Sequence, residues 1–434
     1  MPAFPRLALG VHGCDARGLD LVGAFLLSLR RAGLQPQCFL TRAEFRGFRE
    51  LAGYSGTRPR HLDRWLMSAE QAVQAIVRGM QGCDVAIVVS SPPGPGNNWD
   101  CTSEIDPTLL ALARELELPL VVALAVDDPC RLAARPLPAE TVGLLAAADV
   151  SGEPVGLVTE LEARFGVPVL GVLPPVRTSA SRAASSKRGP SWAYWNAHQV
   201  WRTCFECPPI EQIPACDSLQ TIGRKRTIAI ACDEAFFCYY PQTLDAFVRQ
   251  GARIVDFSPL RSESLPTGTD VVYFGCGIIE DYLPRLATNH CLIASLRRHV
   301  RAGRPIYAEG AGAAWLCQDV QLQDGRRLSG ASILPAVAHR AHKPDPPSPI
   351  TLTVERPTWL GQRGEVIRGY RNPKWWFEPL DLGASLIREN GFQFEWIGAG
   401  NLVGSTIHCD FSLHPHFLTR FFENTADRTA EANR

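Results

Sequence analysis

The 434-residue sequence has no apolar run long enough to cross a membrane, so it predicts no transmembrane segment. It has no excess of either charge: Lys plus Arg and Asp plus Glu each number 44. Without a field of one sign, nothing draws the chain to nucleic acid or to an anionic bilayer, and neither is expected as a partner. The opening MPAFPRLALGVHG lacks the cationic start and small-residue cleavage site of a secretory signal, so a cytoplasmic location is expected. A disulfide framework is missing as well. The 14 cysteines are spread along a long chain, several inside apolar runs such as GCDVAIVV, as reduced core thiols are. What is present is ordinary globular composition, with room for two or three domains.

The front half alternates apolar runs with helical periodicity. RLALGV (6–11) precedes LDLVGAFLLSLRRAG, and CDVAIVVS (83–90) precedes DPTLLALARELEL. PLVVALAVD (119–127) and VPVLGVLP (167–174) complete the pattern. Continuous apolar strands separated by helices imply a parallel sheet covered on both faces, hence a first α/β domain over 1–178. RTSASRAASSKRGPSW then breaks the periodicity, and 179–225 is expected to be a linker. Alternation resumes at RTIAIACDEAF, giving a second α/β domain over 226–424 and a polar tail over 425–434. Within it, RPIYAEGAGAAWLC (304–317) reads as a buried strand, a small-residue turn and a helix start. Enzymes mount nucleophiles on such elbows. Yet Gly310, Ala311 and Gly312 at its tip carry no nucleophilic atom.

Four stretches, CDEAFFCYYPQTLDAFVRQGARIVDFSPL (232–260), FGCGIIEDY, IYAEGAGAAWL and GSTIHCDFSLHP, resemble the C-terminal glutamine amidotransferase domain of cobyrinic acid a,c-diamide synthases. GTRPRHLDRWLM (56–67) is similar to a segment that follows the nucleotide-binding start of that family. The resemblance implies a P-loop NTPase-like parallel sheet in the first domain and a class I glutamine amidotransferase-like, flavodoxin-like sheet in the second. It implies ATP activating two corrin carboxylates as acyl phosphates, and ammonia from glutamine displacing the phosphate.

Both sites depart from the family pattern. The elbow pattern Ala-Glu-Cys-Gly-Gly is occupied here by Ala308, Glu309, Gly310, Ala311 and Gly312. The family's Cys attacks the glutamine amide as a thiolate held beside a His. Gly310 leaves that position vacant. Cys317, seven residues on in the helix, and Cys276, on the glycine loop, are not expected to replace it. His408 in STIHCDF matches the family's catalytic His, and Asp410 is expected to orient it. Glu309 and His408 are expected to line one accessible pocket beside Gly310. At the front, a phosphate loop needs G-x-x-x-x-G-K-[ST]. In GVHGCDARGLD the residues Gly10, Gly13, Arg17 and Gly18 form a degenerate version. With Gly13 and Gly18 as the two glycines, Leu19 stands where Lys belongs, and Arg17 is left as the cation for a phosphate. Ser90, Ser91 and Pro92 follow the next strand, where an acid facing Mg²⁺ is expected.

Two further stretches stand out. HQVWRTCFECPPIEQIPAC places His198, Cys204, Cys207 and Cys216 at H-x₅-C-x₂-C-x₈-C, ligand types that suit tetrahedral zinc. The spacings fit no standard module, and incidental thiols are the commoner reading. NPKWWFE (372–378) replaces the family's Gly-His-Glu segment, and packing is the commoner role of such aromatics.

The expected function is that of a pseudoenzyme, a cobyrinate a,c-diamide synthase homologue without the glutaminase Cys or the phosphate-loop Lys, acting by binding or regulation with no cofactor. A paralogous amidotransferase or a small-molecule ligand is the expected partner, and a homodimer is a further arrangement. The alternative is ATP-dependent amidation of corrinoid-type carboxylates in cobalamin biosynthesis, using ammonia, ATP and Mg²⁺; the chain would then be an amidoligase.

Overall fold

The computed structural model describes residues 4–12, 16–43, 45, 47–90, 105–126, 137–148, 154–173, 192–205, 225–380, 385–389 and 393–423. The chain forms two compact units, Met1–Ala215 and Cys216–Arg434, and both are α/β.

The first unit holds one sheet with spatial order Arg60–His61, Pro36–Leu40, Val85–Val89, Arg6–His12, Leu120–Val126, Thr141–Ala148, Val169–Leu173 and Tyr194–Trp195. Its pairs are parallel except the last, which is antiparallel. Every residue of Val85–Val89 is buried, as a strand covered on both faces requires. Helices such as Ala16–Arg31 and Pro107–Glu115 supply that cover, with Phe25, Leu29, Leu109 and Leu112 turned inward.

The stretch expected to be a linker is structured in part. Tyr194–Trp195 adds a strand, and helix Ala197–Phe205 sinks Val200 and Cys204 into the first unit's apolar core. Trp192 Nε1 donates to Ser28 Oγ at 2.5 Å. The Ser- and Arg-rich lead-in obscures two Trp and a helical stripe that have core surface to cover.

In the second unit the parallel strands Thr227–Ala231, Arg253–Phe257, Val271–Phe274, Ile306–Glu309 and Leu402–Ser405 take the order 2-1-3-4-5, the flavodoxin-like arrangement. Gln393–Ala399 and Ser385–Glu389 extend it antiparallel. A smaller sheet is built from Cys317–Gln321, Arg327–Ser329, Leu334–Arg340 and Trp375–Pro379. Another joins Ser348–Thr353, Val366–Arg371 and Ile407–His408. In the last, Tyr370 pairs with His408 and Arg371 with Ile407, which carries the next residue, Asn372, to the end of the main sheet.

Candidate functional site

The elbow forms as a strand-to-helix turn. Ile306–Glu309 lies in the sheet between Val271–Phe274 and Leu402–Ser405, and helix Ala311–Leu316 follows at once. Gly310 joins them with φ 49° and ψ −113°. A side chain here is strained, and only glycine enters this region cheaply. Its N–H donates to Ser405 O at 2.7 Å, and its carbonyl accepts from Ala314 N–H at 2.9 Å. The mount is therefore intact without a nucleophile on it.

A Cβ on Gly310 would stand 3.0 Å from Cys276 Sγ and 3.2 Å from His408 Cε1. His408 Nδ1 lies 3.1 Å from Glu309 Oε2. The other carboxylate oxygen of Glu309 accepts from Tyr307 OH at 2.9 Å, Tyr273 OH at 3.2 Å and Cys409 N–H at 3.3 Å. Those bonds fix the carboxylate, and the carboxylate fixes the imidazole. Glu309 is 0 % exposed and His408 2 %, so Glu309 faces the interior and does not line an accessible pocket as expected. Glu309, not Asp410, takes the orienting position at His408. Asp410 accepts from Thr243 Oγ1 at 2.9 Å and from Ser412 N–H at 3.0 Å, capping the turn Phe411–Leu413. Two residues along an extended chain return a side chain to the same face, but here the chain turns into that short helix at Asp410.

Two participants were not foreseen. Asn372 lies 3.2 Å by its Nδ2 from His408 Nε2 and 4.0 Å from Cys276 Sγ, while its Oδ1 accepts from Lys374 N–H at 3.2 Å. Cys276, set aside on sequence grounds, is brought against His408. The antiparallel pairing of Cys276–Gly277 with Phe236–Cys238 aims the glycine-loop side chain at the elbow, a tertiary effect with no local signal. Cys317 is not inside the helix but opens the strand after it, and donates to Ala313 O at 3.3 Å. Of the aromatic run, Trp375 and Phe377 are buried in the core, and Trp376 stacks on His339 with centroids 3.8 Å apart.

The charges are coupled. Burial pushes the Cys276 thiol up, but His408 beside it, the Ala311 N–H and Lys374 outweigh burial, and the net shift is down. Burial pushes His408 down, while the Cys276 thiolate and the Glu309 carboxylate lift it to about 10. The Asn372 contact opposes this: with its oxygen held by Lys374, its amide nitrogen faces Nε2, which an imidazolium would also fill with a proton. An amide rotation relieves that conflict, whereas the Glu309 carboxylate is fixed at 3.1 Å by its own donors. The net shift of His408 is therefore upward.

In the first unit Gly10 is a strand residue in register with Val122, not the opening of a loop. Only residues 13–15 separate the end of Arg6–His12 from the start of Ala16–Arg31, whereas G-x-x-x-x-G spans six positions. Arg17 and Gly18 fall in the first turn of that helix, and Gly13 lies outside the described residues. That strand-to-helix spacing is short for a G-x-x-x-x-G phosphate loop. Of the four residues of types that suit zinc, the two that are described do not converge. His198 is exposed and Cys204 buried, six positions and about 240° apart on one helix. Cys207 and Cys216 lie outside the described residues, among which no His, Cys, Asp and Glu cluster is placed to hold a metal.

Residues 227–372 match the CobB/CobQ-like glutamine amidotransferase domain, a match that takes in Cys276 and the elbow and ends at Asn372. The chain is similar to the cobyrinate a,c-diamide synthase of Leptospira interrogans, 25% identical across 97% of this chain and 98% of that one. It is 26% identical to that of Syntrophotalea carbinolica, across 96% and 98%. The Salmonella typhimurium enzyme is 31% identical over 46% of this chain and 44% of its own. The elbow and the base with its carboxylate agree with the domain match, and from end to end the chain is similar to cobyrinate a,c-diamide synthases.

Proposed function

We propose that this chain is a cobyrinate a,c-diamide synthase homologue that releases no ammonia from glutamine at its elbow and acts by binding or regulation. One observation carries the reading: Gly310 occupies the nucleophile position, on a backbone still bent to present one, beside a base still held by its carboxylate. The three-residue connection at the front supports it, because both half-reactions of the family then lack a part. Purified protein incubated with glutamine is expected to release no glutamate above buffer background. Sustained release from the native chain overturns the reading. Gly310→Cys is the positive control: a glutamine-mimicking electrophile is expected to label the new thiol.

The end-to-end likeness to curated synthases favours a second reading, ATP-dependent amidation of a corrinoid-type carboxylate with free ammonia. A ligand at a hundred times its Kd stabilises a native protein by about 2.7 kcal/mol, which a thermal scan detects. No shift is expected with millimolar ATP and Mg²⁺. A clear shift would transfer support to this second reading.

A further inference from the structure

Cys276 has surroundings unlike those of Cys38, Cys83, Cys317 and Cys409. Burial raises Cys38 to about 12, and it also raises Cys83, Cys317 and Cys409. Cys276 is buried too, 4 % exposed, yet it faces a histidine, a backbone N–H and a lysine. Its sulfur reaches the space that a side chain on Gly310 would fill, entering from the opposite wall. The groups facing it are His408 on the third sheet, Lys374 beside Asn372, and Glu309 behind the imidazole. Lys374, whose charge acts on the thiol, is itself exposed.

What chemistry suits a thiol placed there? Acyl transfer needs free donors for an oxyanion. Around Cys276 several are committed. Gly275 N–H donates to Tyr239 OH at 2.9 Å, Ile278 N–H to Ala235 O at 3.0 Å and Gly310 N–H to Ser405 O at 2.7 Å. Ala311 N–H faces the sulfur itself. Thiol–disulfide exchange asks for less: a thiolate, and a proton for the departing sulfur.

We propose that Cys276, backed by His408 and Glu309, is a modification site for low-molecular-weight disulfides. The sulfur of Cys276 attacks one sulfur of the disulfide, a new S–S bond forms, and the old one breaks. The departing thiolate takes the proton held at His408 Nε2, so one thiol is released for each protein mixed disulfide formed. The adduct fills the space beside Gly310 and displaces Asn372 from His408. This goes beyond the reading above, since it needs no acyl intermediate and no glutamine.

The test uses the full native chain with hydroxyethyl disulfide from pH 6 to 8, mapping adducts by mass and counting free thiols. Cys291, which is exposed, is the internal reference. At pH 6 Cys276 is expected to react at least about tenfold faster than Cys291, and its rate to rise less than the roughly tenfold per pH unit of an unactivated thiol. Cys276→Ser removes the fast phase, and His408→Gln slows it about tenfold or more at pH 6. Should that second variant fail to fold, the native pH profile decides alone. Cys276 untouched while Cys291 is modified, or the two rates climbing in parallel, overturns the proposal. Glutamate release is followed in the same samples, so loss of the glutaminase-free reading and loss of this one are read separately.

Discussion

In the first unit Val85–Val89 is apolar and buried throughout, as are Leu7, Ala8 and Leu9 beside it, and the polar side chains of Asp106 and Asp63 serve the chain itself. Asp106 accepts from Thr41 Oγ1 and Thr108 N–H, each at 2.9 Å; Asp63 accepts from Ala43 N–H and Trp65 N–H, each at 2.9 Å. In the second unit the sheet end carries Glu309, His408, Asn372 and Cys276 in one connected group, none above 7 % exposed. The departures from the family therefore differ in kind. At the front, the spacing between strand and helix is itself short for a phosphate loop. At the back, one side chain has gone from an elbow whose backbone stays in place. An elbow is conserved by packing as much as by chemistry: strand, turn and helix are core, while the atom at the tip is not.

That contrast is sharpest at Trp315, in the elbow helix. It is 0 % exposed, with Phe274 edge-on at 5.3 Å and Phe236 at 5.8 Å. Trp315→Ala is expected to destabilise the second unit by about 3–5 kcal/mol, read from urea midpoints. A loss below about 1 kcal/mol would show that the helix is not core, and the packing account of the elbow would fail.

A second effect, nearly as large, lies in helix His290–Arg301 of the same unit. Burial holds the His299 ring down to about 4, with Nε2 3.2 Å from Pro305 O. The unfolded ring titrates near 6.5, so its neutral form contributes full stability above pH 6.5, and that contribution is lost as pH falls toward 4. The window corresponds to roughly 3 kcal/mol. Burial holds His414 down as well, with the same sign. Stability measured between pH 7 and pH 4 should fall, and His299→Gln should flatten the curve. A curve unchanged in that variant would place the acid sensitivity elsewhere.

Much of this architecture was legible and some was not, for physical reasons. Val85–Val89, Leu120–Val126 and Val169–Leu173 are continuous runs of large apolar residues, and continuous runs are what doubly covered parallel strands need. Thr141–Ala148 is harder to read as a strand because three of its residues are alanines, which carry little of that signal. The strands between 317 and 380 alternate in burial, as in Ser348–Thr353, and pair into small sheets that no helical spacing announces. At the site, the elbow and His408 follow from motif. Asn372 and Cys276 do not, because what places them is the register of Tyr370 on His408 and of Cys238 on Cys276. Those are pairings between distant segments, and they leave no trace at either residue.

The smallest effect asks how quiet the second site is by its own design. Asn372 presents its amide nitrogen to His408 Nε2, because Lys374 N–H occupies its oxygen. An imidazolium with protons on both nitrogens is served there only once the amide rotates and gives up the Lys374 N–H. Donation from Nε2 to Cys276 therefore competes with the amide in its present orientation. Asn372→Ala removes the competing donor and leaves the carboxylate in place. The reaction of Cys276 with a small disulfide at pH 6 is then expected to rise about fivefold, the equivalent of one neutral hydrogen bond of about 1 kcal/mol. Native stability should change by no more than a similar amount, because the freed Lys374 N–H lies where water reaches it. A fivefold rise would mean that the appended strands restrain the thiol–imidazole pair. An unchanged rate would make Asn372 packing only, and the ring proton would already sit between Nε2 and the sulfur.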